Sequence, residues 1–301
     1  MLSRLALAAA ALAAAASTPA AAQQSSLDRV LEAQILLDRQ HHSPGVIDGR
    51  QGSNTRRAVR AFEAQQGLPV DGKLDPEVMS RLRASSAEPL LIAYTITESD
   101  VANLVDVPPG MTAQASLDHL GYETASEALA ERFHMSEAFL KRLNAGATYA
   151  AGETIKVVRP RSTEIAEQVA RIEVDKGRSE VRAFGAAGTL LATYPGTIGS
   201  DRFPSPSGSM EVRAVAPAPA YYFDPSGRDW GPDKRLTIAA GPNNPVGGTW
   251  IDLTKEGYGI HGSPDPRLIG KTASHGCVRL TNWDAAELGK AVKQGTAVVF
   301  E

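Results

Sequence analysis

The sequence contains one cysteine in 301 residues. A single cysteine excludes an internal disulfide, so no staple of that kind holds the fold. The thiol is then either a small buried apolar group or a reactive one. Blocks of positive charge are missing as well. The formal net charge is −3, with 31 Lys and Arg against 34 Asp and Glu, which argues against a nucleic-acid partner. The one locally basic stretch, Arg56, Arg57 and Arg60, reads as the solvated face of a helix. Paired metal-ligand spacings such as C-x-x-C or H-E-x-x-H do not occur. Beyond the N-terminus no apolar run is long enough to cross a bilayer, so an integral membrane protein is not expected.

What is present begins with Arg4, an Ala- and Leu-rich run over residues 5–16, and Ala20-Ala21-Ala22 before Gln23. A positive start, a short apolar stretch and a small-residue cleavage site predict a secretory signal peptide over residues 1–22. No cysteine follows it for lipid attachment. The mature chain is therefore expected in the periplasm. An odd cysteine in an exported chain points to intermolecular pairing or a reactive thiol.

Helical spacing then appears in Val30, Leu31, Gln34, Ile35 and Leu37, in Ala58, Val59 and Phe62, and in Val78, Met79 and Leu82. Asp75-Pro76 is a good helix start, because Asp caps free N–H groups and Pro suits the first helical position. Asp48-Gly49 and Asp71-Gly72 each trail a helix and suggest a repeated turn. Residues 84–110 carry Ser85, Ser86, Pro89, Pro108, Pro109 and Gly110 and read as a linker, although the run over residues 90–97 can pair as a strand. Two short helices follow, one around Ala128, Leu129, Ala130 and Phe133. The second is capped by Ser136, carries Phe139, Leu140 and Leu143, and ends at Asn144 and Gly146. Residues 155–158 read as a strand.

From about residue 165 short β-type runs alternate with Gly and Pro turns: residues 171–175, 178–184, 189–194, 210–215, 236–239, 258–260 and 297–300. Residues 185–188 form a hairpin loop between two of them. Many short strands at this spacing argue for a β-sandwich or open barrel. Thr281 and Asp284 open a final helix whose apolar face holds Leu288 and Val292.

The chemistry concentrates in YGIHGSPDPRLIGKTASHGCVRLTN, residues 258–282. Cys277 follows Gly276, which permits a tight turn and close approach of a substrate. A thiol attacks carbonyls as its thiolate, and a neighbouring imidazole takes the proton. His261 and His275 both qualify. An extended segment puts His275 on one face with Cys277, while a neighbouring strand brings His261 beside it. These residues alone leave the base undecided. They also leave open a zinc site, for which His261, His275 and Cys277 supply three ligands. Tyr258 and Trp250 are aromatic candidates for the wall of a site, and the aromatic residues 216–230 either line a cleft or cover a sheet.

Three resemblances sharpen this picture. The letters VIDGRQGSNTRRAVRAFEAQQGLPVDGKL resemble the helical peptidoglycan-binding domain that accompanies wall hydrolases. ALAERFHMSEAFLKRLN followed by GETIKVV is similar to a LysM glycan-binding module. His261-Gly262, then Ser274-His275-Gly276-Cys277, Val278, Arg279 and Asn282, resemble the motif of the L,D-transpeptidase (YkuD-type) family, with 12 residues between His261 and Ser274. Together they imply a multidomain α+β chain. Its parts are a three-helix domain over residues 23–85, a linker over 86–116, a LysM-like module over 117–160 and a mainly-β catalytic domain over 165–301.

The last resemblance implies that Cys277 is the nucleophile and His261 the proton acceptor and donor, oriented by the Gly262 carbonyl. It places the oxyanion hole at Gly276 and Cys277, and substrate contacts at Ser274, His275, Arg279, Tyr258 and Asn282, with Arg279 suited to a carboxylate. It implies acyl transfer from a stem tetrapeptide, with release of D-Ala, to an amine. The amine belongs to another stem, giving 3→3 cross-links, or to an outer-membrane lipoprotein. Water as acceptor gives a carboxypeptidase side activity. It implies no metal and no cofactor, peptidoglycan stem peptides and glycan as partners, and acylation by carbapenems.

Overall fold

The computed structural model describes residues 19–301, with side chains from Asp28 onward. The expected signal peptide lies outside the described residues, its last four positions excepted. No helix among the described residues is long and apolar enough to cross a membrane.

The first unit has three helices, α1 (Pro19–Arg39), α2 (Ser53–Gln66) and α3 (Pro76–Ala84). Ala33, Leu36, Leu37, Ala58, Val59, Phe62, Val78, Met79 and Leu82 form its core, which matches the helical spacing. Asp75 accepts a hydrogen bond from Val78 N at 2.8 Å and Pro76 starts α3, as expected. The two Asp-Gly turns repeat in detail. Asp48 accepts from Arg50 N at 2.8 Å and Asp71 from Lys73 N at 2.9 Å. Gly49 N donates to Gln34 and Gly72 N to Glu63, so each turn is pinned by the helix before it.

The middle unit is a β–α–α–β arrangement. Strand β1 (Leu91–Thr95) comes from the segment read as a linker and pairs antiparallel with β2 (Thr154–Val158). Between them lie the short α4 (Met111–Gln114), then α5 (Ala125–Arg132) and α6 (Glu137–Leu143), the last two capped by Thr124 and Ser136. Ile35 and Ile47 of the first unit enter the core of the second, beside Leu129, Met135, Leu140 and Val157.

The third unit is built on a sheet of nine strands: β3 (Arg171–Asp175), β4 (Glu180–Phe184), β5 (Leu190–Pro195), β6 (Thr197–Ile198), β7 (Gly208–Pro217), β10 (Thr249–Leu253), β11 (Gly259–His261), β12 (Val278–Arg279) and β13 (Ala297–Phe300). The order is β5-β4-β3-β13-β7-β10-β11-β12-β6. Its two edge strands, β5 and β6, are separated in the chain by Gly196 alone. The sheet therefore curls until its edges approach, which gives an open barrel. Alternate residues fill it, among them Ile172, Val174, Val181, Val212, Ile251, Ile260, Val278 and Val298, and α7 (Asn282–Ala291) closes it with Ala285 and Leu288. A separate hairpin, β8 (Tyr221–Phe223) and β9 (Leu236–Ile238), stands off the sheet.

A buried charge cluster joins the three units. Arg161, its side chain 4% exposed, meets Asp284 at 2.8 Å and Glu287 at 2.7 Å on α7, and Asp38 on α1. Asp38 also holds His134 of the middle unit at 3.1 Å. The Arg161 guanidinium and His134 outweigh burial and hold Asp38 below the usual carboxylate range. Arg57, expected on a solvated face, reaches across to the backbone of Arg178 and Gly270 instead.

Candidate active site

The site sits where β11 and β12 run side by side. They are parallel, with Ile260 opposite Val278 and His261 opposite Arg279. Ile260 and Val278 point into the core, so His261 and Arg279 share the other face. Cys277, two residues before Arg279, is level with Gly259 and lies diagonally from His261 on that face. Trp250 occupies the space a side chain at Gly259 would need, since a Cβ there would fall 2.5 Å from its ring. The same indole stacks on His261 at 5.3 Å.

His261 is 3% exposed. Its Nδ1–H donates to the Gly262 carbonyl at 2.6 Å, which leaves the lone pair on Nε2. Burial pushes its pKa down to about 4, against the Gly262 carbonyl, and Arg279 adds to the fall. The Cys277 thiol is half-buried, with Sγ 3.7 Å from the Gly257 carbonyl. Burial raises its pKa, more than the backbone at Gly259 and the charges of Arg279 and Arg228 lower it. At neutral pH the pair is thus thiol and neutral imidazole.

The turn before Cys277 explains the remaining motif residues. Gly276 has φ +113°, a conformation suited to glycine, and a Cβ there would press on the Tyr258 ring at 3.0 Å. Because the chain turns here, His275 does not share an extended face with Cys277. It is exposed, tilted between Phe203 at 4.6 Å and Trp230 at 4.2 Å. Ser274, expected to contact substrate, is 3% exposed and inside the turn. Its hydroxyl accepts from Gly199 N at 2.8 Å and Gly276 N at 3.2 Å and donates to the Cys277 carbonyl. One of the two N–H groups expected at the oxyanion hole is therefore already engaged. Asn282 is likewise structural: it accepts from Gly248 N at 3.1 Å and donates to Glu131 at 2.9 Å and the Pro242 carbonyl at 3.2 Å.

Other residues of the site carried no signal in the motif. Tyr221 on β8 is half-buried, which raises its pKa, and it lies within electrostatic reach of Arg228, Cys277 and Arg279. Trp230 packs on Phe223 at 5.4 Å, and Arg228 lies over both rings. The aromatic residues 216–230 thus face the site, and their density was the only hint of it. On the other side a cleft of about 840 Å³ runs between the middle unit and residues 263–272 and ends at Arg279. Among the described residues no group of three His, Cys, Asp or Glu is gathered closely enough to hold a metal ion.

Comparison with known proteins follows the same division of the chain. Residues 170–300 match the family model of the L,D-transpeptidase catalytic domain, and residues 26–82 that of a putative peptidoglycan binding domain. The putative L,D-transpeptidase YkuD of Bacillus subtilis is 47% identical over 59 residues, 20% of this chain and 36% of that protein. The putative L,D-transpeptidase YqjB of Bacillus subtilis is 31% identical over 102 residues, 32% of this chain and 51% of that one. These alignments span between a third and about half of the relatives' lengths. The crystal structure of L,D-transpeptidase 3 from Mycobacterium tuberculosis with a faropenem-derived adduct covers 50% of this chain and 74% of its own, at 16% identity and a TM-score of 0.38.

Proposed function

We propose that this chain is an exported peptidoglycan L,D-transpeptidase in which Cys277 is the nucleophile and His261 the base. The observation that carries the reading is the hydrogen bond from His261 Nδ1 to the Gly262 carbonyl, on the strand that flanks Cys277. That bond fixes the tautomer and leaves Nε2 basic toward the thiol face. In the first half-reaction Sγ attacks the carbonyl that precedes the terminal D-Ala of a stem tetrapeptide while Nε2 takes the thiol proton. The tetrahedral oxyanion is held by the Cys277 N–H at this turn. His261 returns the proton to the departing D-Ala amine, and a thioester remains. In the second, an amine attacks the thioester, His261 takes its proton and Cys277 leaves as thiol.

Arg279 sits two residues past the nucleophile and suits a stem carboxylate. The three-helix unit and the β–α–α–β unit serve to hold the enzyme on the wall, the second as a LysM-like glycan binder. The acceptor is a stem diamino acid, an outer-membrane lipoprotein or water. Mass spectrometry after incubation with a tetrapeptide donor or a carbapenem tests the chemistry. A covalent adduct on Cys277, absent in Cys277→Ala and suppressed in His261→Ala, is expected. Folded wild-type chain that forms no adduct refutes the reading.

A further inference from the structure

Residues 240–248 separate the middle unit from the candidate active site, and both sides hold them. On the site side, Val246 contributes a backbone interaction to the His261 ring, and Thr249 accepts from Gly262 N at 3.1 Å. Gly247 and Gly262 both abut Asn282 Oδ1, where added Cβ atoms would fall at 2.1 and 2.2 Å. On the other side the middle unit binds the same segment three times and Asn282 once. Leu120 N donates to the Ala240 carbonyl at 2.9 Å, and Asn243 N to the Leu120 carbonyl at 3.1 Å. Asn243 Nδ2 donates to Glu127 at 2.9 Å, and Asn282 Nδ2 to Glu131 at 2.9 Å. Gly241 marks how close the two come: with φ +149° its Cβ position is 2.0 Å from the Leu120 carbonyl oxygen, so no larger residue fits.

We infer that the middle unit is a positioning element of the active centre, in which Glu131 and Leu120 fix the segment and the Asn282 side chain that seat His261. The inference rests on the function proposed above. Glu131 is a positioning residue, since it acts through Asn282. It is 6% exposed, and one of its carboxyl oxygens has no partner. A carboxyl kept for solubility or wall binding does not need that buried place, whereas one that clamps Asn282 does. Burial, with the charges of Glu127 and Asp265 adding to it, favours the uncharged acid against the hydrogen bonds that Asn282 and Tyr122 donate to one of its oxygens.

The test uses the full chain and a small acyl donor too short to engage a wall-binding surface. Glu131→Ala and Gly241→Ala are expected to lower kcat for acylation of Cys277 on the order of tenfold or more, with KM within about twofold. Glu131→Gln keeps an oxygen that accepts from Asn282, and it is expected to restore kcat. A second readout does not depend on catalysis. In chain labelled with ¹⁵N-histidine, the His261 Nδ1–H resonance, assigned by its loss in His261→Ala, is expected to exchange faster with solvent in both Ala variants and normally in Glu131→Gln. Glu127→Ala, a milder change, is expected to shift it in the same sense.

Folded Ala variants with wild-type kcat and an unmoved His261 resonance overturn the inference. So does a loss confined to KM. If the wild-type chain forms no acyl-enzyme, the proposed function fails, and the resonance alone then decides whether the middle unit positions His261.

Discussion

Titrating the reactivity of Cys277 tests the electrostatics of the site directly. Free thiols ionise near pH ~8.5, and burial lifts Cys277 further, while His261 is pushed down to about 4. Moving a proton from even an ordinary thiol to such an imidazole climbs ~6 kcal/mol. The thiolate–imidazolium form is then populated on the order of 1 in 10⁴ or less at equilibrium. Alkylation by iodoacetamide, followed by mass spectrometry between pH 5 and 9.5, is expected to accelerate about tenfold per pH unit through neutrality, because it tracks free thiolate. It has no plateau on the acid side. His261→Ala is expected to leave this profile nearly unchanged, yet to slow acylation by a peptide donor by roughly 10²–10⁴, the range of a general base. A flat alkylation rate from pH 5 to 7 that disappears in His261→Ala shows a standing ion pair and refutes the reasoning.

Two further predictions concern the seams between units. Arg161→Met strands Asp38, Asp284 and Glu287 around an apolar side chain; breaking a buried pair from one side costs about 3–5 kcal/mol. Denaturant unfolding at pH 7 is expected to show a loss of that size, smaller at pH 5 where carboxylates accept protons, and a loss below about 1 kcal/mol at both pH values refutes the account. His42 is fully buried between Thr193 and Gln65, each at 3.1 Å, and burial lowers its pKa to about 4. Its folded pKa lies below the ordinary 6.5, so the stability it contributes is complete above pH 6.5 and is lost as pH falls to about 4. The loss approaches ~3 kcal/mol, and thermal melts of His42→Gln are expected to fall less steeply over that window. Asp38 and Glu287, held below their usual range, add a separate decline below about pH 5 in both proteins.

Local chemistry was legible in the sequence wherever a short segment determines its own shape. Asp75-Pro76, the paired Asp-Gly turns and Ser136 act within three or four residues, and each does what its side chain dictates. Most strands of the barrel were visible by alternation. The strands left open or missed depend on distant partners. Leu91–Thr95 is five residues long, flanked by Pro89 and polar residues, and becomes a strand only because Thr154–Val158 returns beside it. Thr249–Leu253 lies between β7 and β11 at the middle of the sheet, yet Gly247-Gly248 before it and Lys255-Glu256-Gly257 after it mask a short run.

The motif shows the same boundary in finer detail. Residue type marks that His261, Cys277 and Arg279 belong to one site, and the parallel register is what sets them on one face. Ser274 and Asn282 carry hydroxyl and amide groups that suit a ligand equally well. Only the folded chain spends them inward, Ser274 on the turn at Gly276 and Asn282 on Gly248 and Glu131. That inward use couples the units. Glu131 lies 130 residues before His261 in the chain and reaches it only through Asn282, so no local pattern announces it. If His261 is held from the far side in this way, the middle unit is part of the active centre's architecture. Cutting it away would then alter the rate of acylation itself as well as attachment to the wall.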